Sequence, residues 1–463
     1  MFFYRYMVPG LAIQSYMIGD ESTRKCAVID PVRDVDEYLR VADKERYQIT
    51  DILETHVHAD YVSGSVELKS RLDGNPCIHC SGMGGEEWIP SYADNVVQDG
   101  EEVVLGEVRL RAKHTPGHTP EHVVWELMDG EVVRWLFTGD LLFVGDVGRP
   151  DLLGEEAQQT LSHQLYHSIF DKISTLSDSV EIFPAHGAGS LCGKAIGGTP
   201  SSTLGIERQQ NQSLVQKEEE EWVADLMSQM PKAPTYFPRM KKINVQGPEV
   251  IGETLPGHHP FSSQEVKEKK EKGCVLLDIR SKEAFAAAHI PGSINIPLGP
   301  SLSNWAGWVI PYEKPIVIIL DDVDQMESAV IELLRVGFDD VAGYLEGGIW
   351  SWEDAGLPLA RIETQYVDEL SEQIEKDKPF ILDVRTDHEW SVGHIEGAHH
   401  IHAGLVSGCL DMVPRDQHVA VICGSGYRAS MVASVLKGAG YEDISNVLGG
   451  MSAWREKGYP VVK

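Results

Sequence analysis

Thr55-His56-Val57-His58-Ala59-Asp60-Tyr61 follows directly on the apolar, strand-like run at residues 49–53. Two imidazoles and a carboxylate at alternate positions cannot all serve a core, and a loop carrying them can turn them toward one cation. Further candidates come later: Pro116-Gly117-His118-Thr119-Pro120, Thr138-Gly139-Asp140 after the apolar run 135–137, and Pro184-Ala185-His186-Gly187 after the run 180–183. Each sits just past a strand-like segment, where side chains from separate strands can meet at one edge of a sheet. A lone His is usually a satisfied imidazole. The ordered set His-x-His-x-Asp, His, Asp, His is a metal constellation.

The bulk of the chain sets limits on partners. At 463 residues it exceeds one ordinary core, so two to four domains are expected. A hydrophobic share of 42% with 24% charged residues is that of a soluble globular protein. The net charge of −31 argues against nucleic acid and acidic membranes, and an anionic substrate would have to be met by locally placed Arg. The first eighteen residues read as a strand pair interrupted by Pro9-Gly10, not as a signal peptide. No run is long enough to cross a membrane. Seven scattered Cys, an odd number, suit a reducing compartment, and a cytoplasmic location is expected.

Residues 1–247 alternate strand-like and helical segments around the His and Asp set. Residues 248–262, with Pro248, Gly252, Pro256, Gly257 and Pro260, have linker chemistry. The acidic run Lys217-Glu218-Glu219-Glu220-Glu221 reads as the solvated face of a helix, and Cys77-Ile78-His79-Cys80 as strand residues. His399, His400 and His402 read as a partly exposed segment. The second half is an internal repeat. Asp278-Ile279-Arg280, followed by His289-Ile290, recurs 105 residues later as Asp383-Val384-Arg385, followed by His394-Ile395. Gly347-Gly348 with Trp352 recurs 102 residues later as Gly449-Gly450 with Trp454. Residues 263–360 and 361–463 are therefore expected to be two similar α/β domains in tandem.

In the last domain the apolar run 419–422 leads into Cys423-Gly424-Ser425-Gly426-Tyr427-Arg428 and then a helical pattern. A Cys on a tight loop between strand and helix sits among backbone N–H groups at a positive helix end, which favours its thiolate or persulfide. Cys423 and Arg428 are five positions apart. That loop suits a sulfane sulfur or sulfite; a phosphate needs a longer one. With the 102 offset, Cys423 maps to Asp321 and Arg428 to Met326, so the first copy lacks this equipment.

The metal motifs over residues 1–245 resemble the metallo-β-lactamase fold, specifically its persulfide dioxygenase and glyoxalase II branch. The Cys loop, with Asp383-Val384-Arg385, Gly393-His394-Ile395 and Leu448-Gly449-Gly450, resembles the rhodanese sulfurtransferases. The whole chain resembles the persulfide dioxygenase–rhodanese fusions. The resemblance implies an α/β multidomain protein: an αβ/βα sandwich, an inactive rhodanese and an active one, the last two with parallel sheets.

It further implies one Fe(II) per chain on His56, His118 and Asp140, with His58, Asp60 and His186 around them as orienting residues. In the family's hydrolases a second His follows the early Asp; here Tyr61 stands there. Gly148-Arg149-Pro150-Asp151 matches a family segment whose Arg holds the glutathione part of the substrate; the alternative is a structural Arg tied to Asp146 or Asp151. Cys192, in the segment after His186, is either a persulfide carrier near the iron or a buried small residue.

The implied function is oxidation of a low-molecular-weight thiol persulfide by O2 to sulfite and thiol, coupled to sulfane-sulfur transfer among thiosulfate, persulfide and sulfite at Cys423, with Arg428 countering anionic charge, in sulfide detoxification. A glyoxalase II-like thioester hydrolase fused to a sulfurtransferase is the alternative. The partners are small molecules, with no nucleic acid and no membrane; a homo-oligomer is compatible with the sequence.

Overall fold

The structure, a computed structural model, describes residues 1–228 and 230–463. It divides into two compact units, Met1–Thr254 with Leu334–Gly337, and Leu255–Leu333 with Phe338–Lys463.

The first unit is built on two six-stranded sheets. One has the order β1 (Phe2–Val8), β2 (Ile13–Gly19), β3 (Lys25–Ile29), β4 (Gln48–Leu53), β5 (Cys77–Ser81), β6 (Asn95–Val97). The N-terminal pair β1–β2 is antiparallel, from Phe2 opposite Gly19 to Val8 opposite Ile13, and the later neighbours β3 to β6 run parallel. The other sheet contains β7 (Glu102–Val104), β8 (Arg109–His114), β9 (Val123–Asp129), β10 (Val132–Gly139), β13 (Glu181–Pro184) and β14 (Ser202–Thr203), in the order β14-β13-β10-β9-β8-β7. A two-stranded ribbon, β11 (Leu142–Phe143) and β12 (Asp146–Val147), follows β10.

Strand alternation explains the layers. One core joins Tyr16, Ile18, Ile29 and Leu53 of the first sheet to Leu110, Val123, Trp125, Leu127 and Phe183 of the second. The opposite face of the second sheet, with Val124, Met128, Leu136 and Ile182, packs on Leu165, Ile169, Trp222 and Leu226 from helical segments. Both faces of β9 are thus buried, which is why its sequence is apolar almost throughout. The candidate metal residues all lie where strands end: His56 to Asp60 after β4, His118 after β8, Asp140 after β10 and His186 after β13.

The second unit holds two five-stranded sheets of one design. The first has the order β15 (Pro260–Phe261), β19 (Val341–Leu345), β18 (Ile316–Ile319), β16 (Val275–Asp278), β17 (Ile294–Asn295). The second has β20 (Glu363–Tyr366), β24 (Ile444–Leu448), β23 (Val419–Ile422), β21 (Phe380–Asp383), β22 (His399–His400). Every pairing in both is parallel. The end of the expected linker is therefore sheet: Pro260–Phe261 is an edge strand, where the missing N–H of Pro260 leaves no ladder bond unmade.

The repeated Asp-x-Arg is the brace of each copy. Arg385 binds Asp383 through Nε and Nη2 at 2.9 and 2.7 Å and donates to the carbonyls of Glu389 and Gly393. Arg280 binds Asp278 in the same way and donates to the carbonyl of Ala288. The repeated Trp closes each C-terminal turn, with Trp352 Nε1 donating to Pro358 O and Trp454 Nε1 to Pro460 O, both at 2.9 Å. The copies also bind each other: Ser430 Oγ donates to Asn295 Oδ1 at 2.9 Å, and Asn295 N donates to Ser434 Oγ at 3.0 Å.

Because Asp383 and Arg385 are both buried, Arg385→Met leaves a carboxylate without its partner in the core. The expected loss is about 3–5 kcal/mol, measured as a drop in the denaturant midpoint of the second unit.

Candidate metal centre and cysteine loop

His56, His118 and Asp140 come together in the buried interior at the strand ends, with one donor atom from each within 4.8 Å of the others. Their orientation is fixed from behind. Thr55 Oγ1 donates to Asp30 Oδ2 at 2.8 Å and is 2.9 Å from His56 Nδ1, so it can accept that ring's proton and leave Nε2 bare. His118 Nδ1 donates to the carbonyl of Arg149 at 2.8 Å, which likewise frees its Nε2. His118 Nε2 lies 3.3 Å and His56 Nε2 3.9 Å from Asp140 Oδ2. Burial and the neighbouring imidazoles hold His56 well below the usual histidine range, and burial lowers His118, so both are neutral donors.

Asp140 needs a particular backbone. Gly139 before it has φ +50°, and a Cβ there would meet His122 Nε2 at 2.6 Å and Thr55 Oγ1 at 2.7 Å. The Asp140 N–H donates to His122 Nε2 at 3.0 Å. The sequence reading missed His122. Its signal was the spacing His118-x-x-x-His122 on one loop. Glu121 was missed too: buried, with its carboxyl pushed up to about 7 by that burial, it accepts the Val57 N–H between His56 and His58.

The other expected residues divide between two sides. His58 faces away from Asp140: its Nε2 lies 3.2 Å from Asp30 Oδ1 and 3.3 Å from Glu54 Oε2. Burial opposes a charge there, but these two carboxylates raise His58 well above the usual range. The Tyr61 ring lies 4.4 Å from that of His58, tilted by 34°, with its hydroxyl toward the carbonyl of Asp30. On the opposite side His186 Nε2 lies 3.3 Å from Asp60 Oδ2 and 3.5 Å from Asp140 Oδ1, and Asp60, His186 and Cys192 form a second trio of donors. Burial, with Asp60 and Asp140 nearby, pushes the Cys192 thiol well up.

Arg149 is not open to a ligand. It is buried, pairs with Asp151 at 2.6 and 2.8 Å, and donates to the carbonyls of Leu191 and Pro231. Its own N–H binds the carbonyl of Cys192 at 3.0 Å. Of the two readings left open by the sequence, the geometry is that of the structural Arg on Asp151, which anchors the Cys192 segment.

In the last domain Cys423 follows β23, and its Sγ accepts the Gly426 N–H at 3.1 Å where the helix Tyr427–Gly438 begins. Gly426 has φ +95°, so the loop turns tightly enough to aim that N–H at the sulfur. Arg428 is held by Glu389 in a two-point pair at 2.6 and 2.7 Å. Burial works against the Glu389 charge, yet Arg428 and the Thr386 N–H bring it down to about 2. Glu389 is a third residue the sequence reading passed over.

The first copy departs from the expected register. Asp278 pairs with Ile319 as Asp383 pairs with Ile422, and the carbonyls of Leu320 and Cys423 occupy matching places against Gly348 and Gly450. The offset at this loop is thus 103, and Leu320, not Asp321, is the counterpart of Cys423. At the same offset Arg428 meets Gln325, not Met326, and the 105 offset that carries Asp278 to Asp383 gives Glu389 the counterpart Ala284. Thiol, guanidinium and carboxylate are all missing there, so no half of the pair is left as an uncompensated charge.

Residues 8–186 match the model of the Metallo-beta-lactamase superfamily, and residues 262–355 and 366–457 each match that of the Rhodanese-like domain. The chain belongs to the metallo-beta-lactamase superfamily and carries two rhodanese-like domains behind that fold. A crystal structure of a metallo-beta-lactamase from Staphylococcus aureus subsp. aureus COL is similar at 36% identity and TM-score 0.66, over 74% of this chain and 98% of that one. Persulfide dioxygenase ETHE1, mitochondrial, is 32% identical in Bos taurus and 34% in Homo sapiens, over 38% and 37% of this chain. The matches span 65% and 63% of those proteins. A metal at the His and Asp cluster follows from the family and the donor set.

Two outcomes follow. Since burial keeps His56 and His118 neutral below the usual imidazole range, bound metal should be retained on dialysis from pH 8 to pH 6, while Asp140→Asn should lose most of it; elemental analysis reads both. The Arg428–Glu389 pair stabilises while Glu389 is ionised, so the difference in thermal midpoint between the native protein and Glu389→Gln should be constant from pH 8 to 5 and shrink as pH falls from the ordinary carboxyl range toward 2.

Proposed function

We propose that the first domain, residues 1–247, oxidises a low-molecular-weight thiol persulfide, RSSH, with dioxygen. The balanced reaction is RSSH + O2 + H2O giving RSH, sulfite and two protons. The observation that carries this reading is a set of two imidazoles and one carboxylate whose free atoms, His56 Nε2, His118 Nε2 and both Asp140 oxygens, are buried with no hydrogen-bond partner. Such orphaned atoms are costly unless a cation takes them up, so the site fits a metal. His56, His118 and Asp140 would hold an Fe(II) ion, which would supply the redox chemistry for dioxygen.

The protein's part is orientation. Thr55 and Asp30 aim His56, the Arg149 carbonyl aims His118, and His122 holds the backbone of Asp140. Cys192 and His186 are buried beside Asp140, so this side of the centre is closed to bulk water.

Residues 361–463 transfer sulfane sulfur; residues 263–360, without the thiol, support them. The Cys423 thiolate attacks the outer sulfur of thiosulfate or of a persulfide. A bond forms to Sγ, the S–S bond of the donor breaks, and sulfite or a thiolate leaves with the electron pair. The resulting persulfide gives its sulfur to the next thiol or sulfite in the reverse sense. Gly426 N–H and the helix N-terminus stabilise negative charge on the sulfur, and Arg428, steadied by Glu389, meets the anion. Sulfite and thiol made by the first domain are thereby substrates of the last, a route that disposes of sulfide in the cytoplasm.

The Asp60–His186–Cys192 trio beside Asp140 favours a second reading, a two-metal thioester hydrolase fused to a sulfurtransferase. Metal analysis of anaerobically purified protein together with an oxygen electrode separates them. One iron per chain and stoichiometric oxygen uptake with glutathione persulfide are expected; two zinc ions, thioester hydrolysis and no oxygen uptake would sink the dioxygenase. Cys423→Ala should abolish thiosulfate–thiol transfer and leave oxygen uptake within about twofold.

A further inference from the structure

Beside the candidate metal centre lies a cleft of about 340 Å³ whose floor is made of residues interleaved with the site: Val57 and Ala59 alternate with His56, His58 and Asp60, and Thr119 follows His118. Its walls include Trp88 and Phe237, and among the described residues that line it the one cation is Lys241 from the helix Phe237–Gln246. The Lys241 ammonium stands 3.5 Å from the centroid of the Trp88 ring. Glu87 and Glu121 act on it only through space, and none of the described carboxylates lies within ion-pair distance of it. Half-buried, it is pulled below the usual lysine range by that burial, a penalty that a bound anion would offset.

We infer that Lys241 on Trp88 is the subsite for an anionic group of the thiol, so that the substrate is a persulfide whose carbon skeleton carries a carboxylate or phosphate. Three features converge on this. The cleft is mostly apolar with one convergent charged group, the usual make-up of a small-molecule site. A cation fixed over an aromatic face is pre-oriented, so little freedom is lost when an anion arrives. The chain carries a net charge of −31, so an anionic thiol gains access only where a cation is exposed inside the cleft. Arg149, which the sequence offered for this task, is closed off by Asp151. The inference rests on the persulfide reading of the neighbouring centre for its chemistry, not for the binding itself.

Lys241→Met and Lys241→Arg, each in the full-length metal-loaded protein, test it by two routes. By calorimetry, glutathione and coenzyme A should bind the native protein in a salt-sensitive way, at least tenfold more weakly to Lys241→Met and near normally to Lys241→Arg; whichever thiol binds tighter tells carboxylate from phosphate. By oxygen uptake, Lys241→Met should raise the KM for glutathione persulfide about tenfold or more with kcat within twofold, and leave hydroxyethyl persulfide, whose carbon skeleton carries no charge, unchanged. Equal losses on both persulfides, unchanged binding in Lys241→Met, or no binding of either thiol to the native protein would overturn the subsite. Absence of oxygen uptake with every persulfide, alongside normal Lys241-dependent thiol binding, would instead count against the dioxygenase and leave the subsite standing.

Discussion

Both oxygens of Asp140 are sealed inside the first unit without a hydrogen-bond donor, facing the bare Nε2 atoms of His118 and His186. A carboxylate in that position is tolerated only if a positive charge is brought to it. Much of the surrounding structure can be understood as service to this one group. Gly139 gives the backbone its left-handed turn, His122 takes the Asp140 N–H, and Thr55 and Asp30 lock His56 in its tautomer. Strands from both sheets end here and bring side chains from distant parts of the chain to one place.

The tandem domains separate fold from chemistry within one molecule. The Asp–Arg pair and the closing Trp recur with matching hydrogen bonds in both copies, so they are structural parts of this α/β design. Cys423, Arg428 and Glu389 occur only in the second copy. The arginine and the glutamate are half-buried and each satisfies the other, so a copy that lost one alone would keep an unmatched charge. The first copy has Gln325 and Ala284 instead and stays sound. Its edge then serves as a rest for the helix behind Cys423, through Asn295 with Ser430 and Ser434.

Motifs that recur or that place several ligands in a short span were plain in the sequence. His56, His58 and Asp60 announce themselves by spacing, Cys423 by its glycine loop, and the repeat by its offsets. What escaped were residues whose role depends on what packs against them. His122 and Glu121 look like ordinary neighbours of His118 until β10 and the 55–61 loop close over them. Glu389 lies 39 positions from Arg428 and becomes its partner only because β21 and β23 are adjacent. The repeat offset slid from 105 to 103 to 102 along the copy, since loops absorb insertions of one or two residues that strands do not, and one position was enough to misassign Asp321.

The amino-acid order alone determined the succession of one metallo-beta-lactamase fold and two rhodanese-like domains, the strand-end His and Asp motifs, the cysteine loop and its absence from the first copy, because each is encoded by local spacing. Only the tertiary structure decided which side each donor faces, that Arg149 is spent on Asp151, and that Lys241 stands uncommitted on Trp88 beside the site. A side chain's charge is written in the sequence, but whether that charge is free depends on neighbours that folding brings from far along the chain.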